Sequence, residues 1–562
     1  MSSPNEPTIV IIGGVAGGAS AATRARRCNE NARILLYEKD EHVSFANCGL
    51  PYYIGEEIQD REKLLVGKES LFRDRFNIEV FSRHQVISID RESKTVEVRN
   101  LETGVIHTEP YDKVILSPGA SPFLPPLDGT DSRNVFSLRN LNDADRIKEY
   151  IETEGVKNAV MVGAGFIGLE MVEQLHEIGI GVSLVELADQ VLGPLDSEMA
   201  AFVEEDLQNH GVHLYLNDSI DSLLVEEGKV GSVRLKTGAE IKTDLVLFGI
   251  GVRPTTQLAQ DAGLEIGPMG GIRVDEYMRT SDPDIYAVGD AVEYPHGLLD
   301  HPMRVALGGP ANRAGRIAGE HAVTGKSHPF TPVLGTAIVR VFGKTAGMTG
   351  LSEKVAAKEG IPHRSIYVAA GDHAGYYPGA EEMVLKLTYD PESAKVLGAQ
   401  IVGGNGVDKR IDVIATNLHY GGTVHDLAGL DLAYAPPFGS AKDPVHLAGF
   451  VAQNDLDGSS PVLATDADWR GRTVVDIRTS KEFDSGHLPE AIHIPLDELR
   501  ERMNEIDGHD RIAVVCESGK RGHVATRILK QHGFEESMNA SGGMKILRKR
   551  LKGQGIRQNA LA

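Results

Sequence analysis

Thr8-Ile9-Val10-Ile11-Ile12-Gly13-Gly14-Val15-Ala16-Gly17-Gly18 is the stretch on which the fold turns. Five β-branched residues in a row make a short, fully buried strand of the parallel kind. A glycine-rich turn follows, then a helical stretch from Ala19 to Cys28. A second strand, Ile34-Leu35-Leu36-Tyr37, ends on Glu38, about 20 residues beyond the last glycine. Strand, turn, helix, strand and acid in this order are the dinucleotide fingerprint. Gly13, Gly14, Gly17 and Gly18, with Ala16 among them, bring backbone close to a pyrophosphate at a helix N-terminus, and Glu38 accepts a ribose hydroxyl. Val15 stands where the motif carries its middle glycine.

The pattern recurs. Asn158-Ala159-Val160-Met161-Val162 leads into Gly163-Ala164-Gly165-Phe166-Ile167-Gly168, with all three glycines present. The next strand, Gly181-Val182-Ser183-Leu184-Val185, delivers Glu186 at its end. A carboxylate there accepts the 2′-hydroxyl of NADH and repels a 2′-phosphate, so NADH is favoured over NADPH.

Between and after these copies lie the segments that join them. Thr280-Ser281-Asp282-Pro283-Asp284-Ile285-Tyr286-Ala287-Val288-Gly289-Asp290 resembles the second FAD motif of the pyridine nucleotide-disulfide oxidoreductases, in which the final Asp contacts the ribityl chain. Leu116-Ser117-Pro118-Gly119-Ala120 resembles the crossover of that class back to its FAD domain. Gly249-Ile250-Gly251-Val252-Arg253-Pro254 resembles its return strand from the NAD domain. The resemblance covers roughly residues 8–450. It implies an α/β chain with two Rossmann-like domains, FAD held by 1–150 and 270–325 and NADH by 151–269, followed by an α+β dimerisation domain over 326–453.

Composition sets the frame. A chain of 562 residues suggests about four domains. Its formal net charge of -22 argues against nucleic acid as a partner while leaving room for a small anionic ligand in a local basic pocket. Met1 to Pro7 lacks the basic start and apolar run of a signal peptide, and no stretch is long and apolar enough to span a membrane. Three scattered cysteines, Cys28, Cys48 and Cys516, make no disulfide framework and fit a reducing, cytoplasmic setting. No metal site is expected.

Cys48 stands alone in Ser44-Phe45-Ala46-Asn47-Cys48-Gly49-Leu50-Pro51-Tyr52-Tyr53, where a two-cysteine flavin reductase would carry its second thiol at position 53. One thiol oxidises to a sulfenic acid or to a disulfide with a foreign sulfur. Within the class, the first outcome belongs to NADH oxidases and peroxidases, the second to coenzyme A disulfide reductases. Four features favour the second. Ala16 occupies the place of the histidine used by the oxidase branch. Ser20, Arg24 and Arg27 share one helix face able to grip phosphates in forked geometry, and the matching positions of CoA disulfide reductases, with Ser44 and Asn47, line the CoA site. Ala433-Tyr434-Ala435-Pro436-Pro437-Phe438-Gly439-Ser440-Ala441-Lys442-Asp443-Pro444 resembles that family's C-terminal signature, whose tyrosine and lysine reach the partner subunit's active site and CoA. His373-Ala374-Gly375-Tyr376-Tyr377-Pro378-Gly379 resembles the segment supplying a second tyrosine; Tyr376 is favoured over Tyr377. Tyrosine hydroxyls would protonate the leaving thiolate.

Asn454 to Pro461 reads as a linker, and residues 462–562 have an α/β rhythm of their own. Val474-Val475-Asp476-Ile477-Arg478, Gly486-His487-Leu488-Pro489-Glu490-Ala491-Ile492 and Cys516-Glu517-Ser518-Gly519-Lys520-Arg521-Gly522 resemble the rhodanese domain. A cysteine-to-arginine loop of this length forms an anion nest that lowers the thiol pKa and holds a persulfide, with Cys516 as carrier and Arg521 closing the loop. Glu517 beside the sulfur is expected to disfavour dianionic thiosulfate, and Cys28 to be a packing residue. As a whole the chain resembles the CoA disulfide reductase–rhodanese fusions, including NADH-dependent persulfide reductases. That implies a homodimer acting on a low-molecular-weight thiol or persulfide. The nearer alternatives are an NADH oxidase or peroxidase, and a sulfurtransferase reset by the flavin module.

Overall fold

The computed structural model describes residues 6–464, 469–507 and 511–553. Most of the N-terminal segment read above lies outside these residues, as does the chain beyond 553. Two compact units emerge, one of Met1–Gly163, Gln174–Ser183 and Ile220–Val333, the other of Ala164–Glu173, Leu184–Ser219 and Leu334–Ala562.

In the first unit, Thr8–Ile12 is the centre of a five-stranded parallel sheet, flanked by Lys113–Leu116 and then Ile285–Ala287 on one side, and by Arg33–Tyr37 and then Glu79–Phe81 on the other. Ile9, Val10 and Ile11 are fully buried, as a strand covered on both faces requires. Register brings the strand ends level: Ile12 faces both Tyr37 and Leu116, and Leu116 faces Ala287. Gly13, Glu38, Ser117 and Val288 therefore gather along one sheet edge, the usual ligand edge of such folds. The helix Ala16–Cys28 packs on Gly308–Thr324 so closely that a Cβ at Gly315 would lie 2.2 Å from the Gly17 carbonyl oxygen. Asn158–Val162 runs parallel to Leu245–Phe248, and that strand to Val135–Ser137, forming the core of the second nucleotide fold.

In the second unit, Ala337–Val341, Lys344–Gly350, Val396–Gly403, Glu382–Tyr389 and Arg364–Gly371 form an antiparallel sheet in that order, with helices Val407–His419 and Pro444–Leu456. A second, parallel sheet orders Val462–Leu463, Met538–Ala540, Ile512–Val515, Thr473–Asp476 and Ile492–His493 around a core of Val475, Ile477, Val514, Cys516 and Leu529. The stretch read as a linker is short and well bonded. The helix runs on to Leu456, and buried Asp455 accepts hydrogen bonds from Val462 N (2.8 Å) and Tyr389 Oη (2.6 Å) and pairs with Arg364 (2.8 Å). Ser541 Oγ accepts the Tyr367 amide at 3.0 Å, so the C-terminal domain rests on the antiparallel sheet of its own chain.

Lys386 anchors this unit. Fully buried, it donates to Asp196 (2.7 Å), Glu198 (2.6 Å) and Glu353 (2.5 Å). Burial alone would depress the ammonium; Tyr367, Glu198, Asp196 and Glu353 outweigh it and hold the group well above its usual range. The three carboxylates lie close enough for a metal ion, but the lysine itself is the cation they surround. Among the described residues no helix is long and apolar enough to cross a membrane.

Candidate active site

The first glycine turn is built for close approach. Gly13 has φ of +97°, and a Cβ there would sit 2.1 Å from the Ser117 carbonyl oxygen; a Cβ at Gly18 would sit 1.8 Å from that of Gly13. Only glycine fits. The helix opening at Ala16 has no side-chain cap and no acid in its first turn, which leaves its N-terminal amides for an anion. Buried Glu38 accepts Gly14 N (2.7 Å) and Asp40 N (3.0 Å). Burial raises its pKa, opposed by the hydrogen bonds from Asp40 and Gly14. Pro118 and Gly119 continue from the Ser117 strand end, Gly119 at φ +69°. Gly289, at φ +82°, precedes Asp290, whose carboxyl is raised by burial with Arg139 3.8 Å away as counterweight.

The second turn repeats the arrangement. Glu186 accepts Ala164 N at 2.7 Å and Ala188 N at 2.9 Å, the same clasp that Glu38 makes with Gly14. Gly163 has φ of +100° and a Cβ there would collide with the Gly249 carbonyl oxygen, whereas Cβ atoms at Gly165 and Gly251 would meet nothing within 4 Å. Gly251 is fixed by its φ of +99°, whereas neither packing nor backbone conformation demands glycine at 165. Phe166 and Ile167 begin the helix Phe166–Glu177, with Ile167 exposed and Gly168 buried. Both turns fit a dinucleotide.

Cys48 is exposed, in a 3₁₀ turn Asn47–Gly49 ahead of the helix Leu50–Ile54. Its segment is stitched down on both sides: Ser44, at φ +48°, donates its amide to the Gly14 carbonyl (2.9 Å), and Ala46 N donates to the Leu64 carbonyl (2.8 Å). At position 53 the tyrosine is buried and its hydroxyl donates to Asp145 at 3.3 Å. Two residues of the expected phosphate face are drawn toward the helix Gly308–Thr324. Ser20 donates to Asn312 Oδ1 (2.5 Å), Arg24 pairs with Glu320 (2.6 Å), and exposed Arg27 lies over Phe76, 5.1 Å from its ring centre. A phosphate at Arg24 would therefore have to compete with a carboxylate already in place. Half-buried Cys28 has its pKa raised by burial.

Tyr376 and Tyr434, 77% and 48% exposed, bring their hydroxyls within 3.1 Å of each other. That hydrogen bond raises the Tyr376 pKa. Tyr377 turns away and meets His373 edge-on, which distinguishes the two tyrosines. Lys442 is exposed at the end of the loop bearing Tyr434.

Cys516, 1% exposed, accepts the amides of Gly519 (3.1 Å) and Gly522 (3.2 Å) at its Sγ, the nest expected of the loop. Gly519 adopts φ +87°, and a Cβ at Gly522 would lie 2.1 Å from Asn539 Oδ1. Arg521 pairs with Glu482 (2.6 and 2.8 Å) and Arg478 with Asp476 (2.8 Å). The Glu517 carboxylate is 2.7 Å from Arg548 and 3.6 Å from Arg478, so guanidiniums stand beside the charge expected to repel thiosulfate. Reading the sequence missed Arg548 because it lies 31 residues from its partner.

The pyridine nucleotide-disulphide oxidoreductase family matches residues 7–312, its dimerisation domain residues 336–444, and the rhodanese-like domain residues 462–548. A coenzyme A disulfide reductase from Staphylococcus aureus (strain JH9) is 35% identical over 447 residues, 80% of this chain and all of the relative. The crystal structure of reduced Bacillus anthracis CoADR-RHD is similar with a TM-score of 0.95 at 43% identity, covering 97% of this chain and 98% of that one. A NAD-dependent persulfide reductase from A. fulgidus is similar with a TM-score of 0.90 at 38% identity, covering 96% and 99%.

Proposed function

The chain belongs to the pyridine nucleotide-disulphide oxidoreductase family, and from that premise we propose that it uses NADH and the single thiol of Cys48 to reduce persulfides, polysulfides or disulfides of the coenzyme A type. The chain is a flavin- and NAD(P)H-dependent disulfide- and persulfide-reducing enzyme carrying a rhodanese-like domain. Gly13, Gly14, Ala16, Gly17, Gly18, Glu38, Pro118, Gly119, Gly289 and Asp290 would hold FAD; Gly163, Gly165, Phe166, Ile167, Gly168, Glu186 and Gly251 would hold NADH. Bound together, the two cofactors supply a pair of electrons to the sulfur at Cys48.

The observation that carries the reading is Cys48 itself, an exposed thiol with a buried, hydrogen-bonded Tyr53 where an internal disulfide would need its second sulfur. The Cys48 thiolate attacks the inner sulfur of an organic persulfide. The S–S bond breaks, hydrosulfide leaves, and a mixed disulfide joins Cys48 to the organic thiol. Two electrons and a proton then return the thiolate and release that thiol. Ser20, Arg24, Arg27, Ser44, Asn47 and Lys442 are the residues for a CoA-type substrate, and Tyr376 and Tyr434 donate protons to departing sulfur in the other subunit of a homodimer. Cys516 carries sulfane sulfur in its amide nest.

Three measurements test this. Mass spectrometry of the denatured protein as isolated should find a CoA-sized adduct on Cys48; a sulfenic acid there instead would place the chain with the oxidases. Cys48→Ser should abolish NADH-dependent sulfide release, and survival of that activity would refute the mechanism. Cys516→Ser should spare disulfide reduction while lowering persulfide turnover.

A further inference from the structure

We infer that Arg410 positions the Tyr376–Tyr434 pair by clamping the roots of the two loops that carry it. The inference rests on the proposed role of that pair as proton donor.

Tyr376 and Tyr434 stand 58 residues apart and are largely exposed, yet their hydroxyls meet at 3.1 Å. Within the chain itself burial does not hold them, and the support it offers comes from the loops beneath. Arg410 projects from the helix Val407–His419 and is 1% exposed. Its Nη2 donates to the Asp372 carbonyl (2.7 Å), where the Tyr376 loop begins. Its Nε and Nη2 donate to the Asp443 carboxylate (3.2, 3.2 and 2.7 Å), where the Tyr434 loop ends. Its Nη1 donates to the Gly406 carbonyl (3.1 Å). All three guanidinium nitrogens are committed, and their planar fork sets the angle between two loop roots. A lysine, with one compact head group, cannot reproduce it.

Each loop is also closed on itself. In the first, His373 bridges the Asp372 carboxylate (2.9 Å) and the Pro378 carbonyl (3.3 Å), and Asp372 Oδ1 accepts the amides of His373 and Glu381, both at 2.9 Å. In the second, His446 Nε2 lies 2.7 Å from the Leu430 carbonyl while its Nδ1 accepts the Asp443 amide (3.2 Å). Asp443 further caps the helix Pro444–Leu456 through the Val445 amide (3.1 Å). Two self-closed loops joined at one buried guanidinium make a rigid support for an exposed pair of side chains. Lys409, half-buried and 4.0 Å from Asp443, is too distant to replace it.

The test places 3-fluorotyrosine at 376 or 434 in the holoenzyme and follows the fluorine resonances beside steady-state kinetics. Arg410→Lys, and independently the isosteric Asp443→Asn, should shift or broaden both resonances. Each should lower kcat for the sulfur substrate about tenfold, a part of what general acid catalysis contributes, with KM and NADH-driven flavin reduction within about twofold of wild type. In a Tyr434→Phe background Arg410→Lys should cost nothing further. Unchanged resonances overturn the inference even if the tyrosines prove essential, and so does a kcat loss that persists at full size in the Tyr434→Phe background. Displaced resonances together with a fully active Tyr434→Phe enzyme would uphold the clamp and refute the proton-donor role.

Discussion

Replacing Glu186 by glutamine should change which nicotinamide cofactor the enzyme prefers. The wild-type carboxylate is held by two backbone amides, Ala164 at 2.7 Å and Ala188 at 2.9 Å, at the end of the strand Gly181–Val185. A 2′-phosphate would be placed against it. Two unit charges about 4 Å apart repel by about 4 kcal/mol at an effective dielectric near 20 and by about 1 kcal/mol in bulk water. Glu186 is partly exposed, so about 2 kcal/mol is reasonable, a factor of about 30 at 1.4 kcal/mol per decade. Glutamine removes that repulsion. It also turns an amide nitrogen toward one of the two backbone donors, which should cost NADH about 1–2 kcal/mol. The NADH/NADPH ratio of kcat/KM should therefore fall about 10²- to 10³-fold, by a gain for NADPH and a loss for NADH. The assay is steady-state kinetics with both cofactors at low and physiological ionic strength, where salt should narrow the wild-type preference. An unchanged ratio in Glu186→Gln, or a preference indifferent to salt, would refute the electrostatic argument and leave shape as its source.

Other substitutions probe the remaining supports. Lys386→Met leaves Asp196, Glu198 and Glu353 without their buried cation and should cost about 3–5 kcal/mol; Lys386 helps hold the Asp196 and Glu198 pKa values below their usual range against burial, so without it they protonate at higher pH. The gap in thermal unfolding between variant and wild type should then narrow from pH 8 toward pH 5, roughly where raised carboxyl groups titrate, and a constant gap would contradict this. Arg548→Gln should slow sulfur uptake from thiosulfate several-fold by exposing Cys516 to the Glu517 charge, and adding Glu517→Gln should restore it; no recovery would sink the account. Arg521, against the desolvation of the pair, depresses the Glu482 carboxyl to about 2. The stabilisation is thus present above the ordinary glutamate value near 4.3 and is lost as pH falls toward about 2, so Glu482→Gln should flatten the acid limb of rhodanese-domain unfolding followed by circular dichroism. Gly543→Ala, forcing a Cβ to 2.2 Å from the Cys516 carbonyl oxygen at φ +57°, should impair persulfide transfer while sparing NADH-dependent disulfide reduction.

The order of the motifs, the two nucleotide turns, the lone Cys48 and the Cys516 loop could all be read along the chain. Each is a local constraint. A positive φ at Gly13 or Gly163, a strand run of β-branched residues, or a cysteine a few residues before a helix is dictated by neighbours in sequence, and backbone sterics admit few alternatives. Ionic and polar partners are different. Arg24 with Glu320, Glu517 with Arg548, Lys386 among three acids, and Arg410 between two loop roots join residues separated by 31 to 296 positions. No periodicity announces such pairs, because a charge is satisfied by whatever packing brings beside it. The choice of Tyr376 over Tyr377 has the same origin. The chain alone placed two tyrosines side by side; only the closed loops decided which hydroxyl meets Tyr434 and which ring turns to His373.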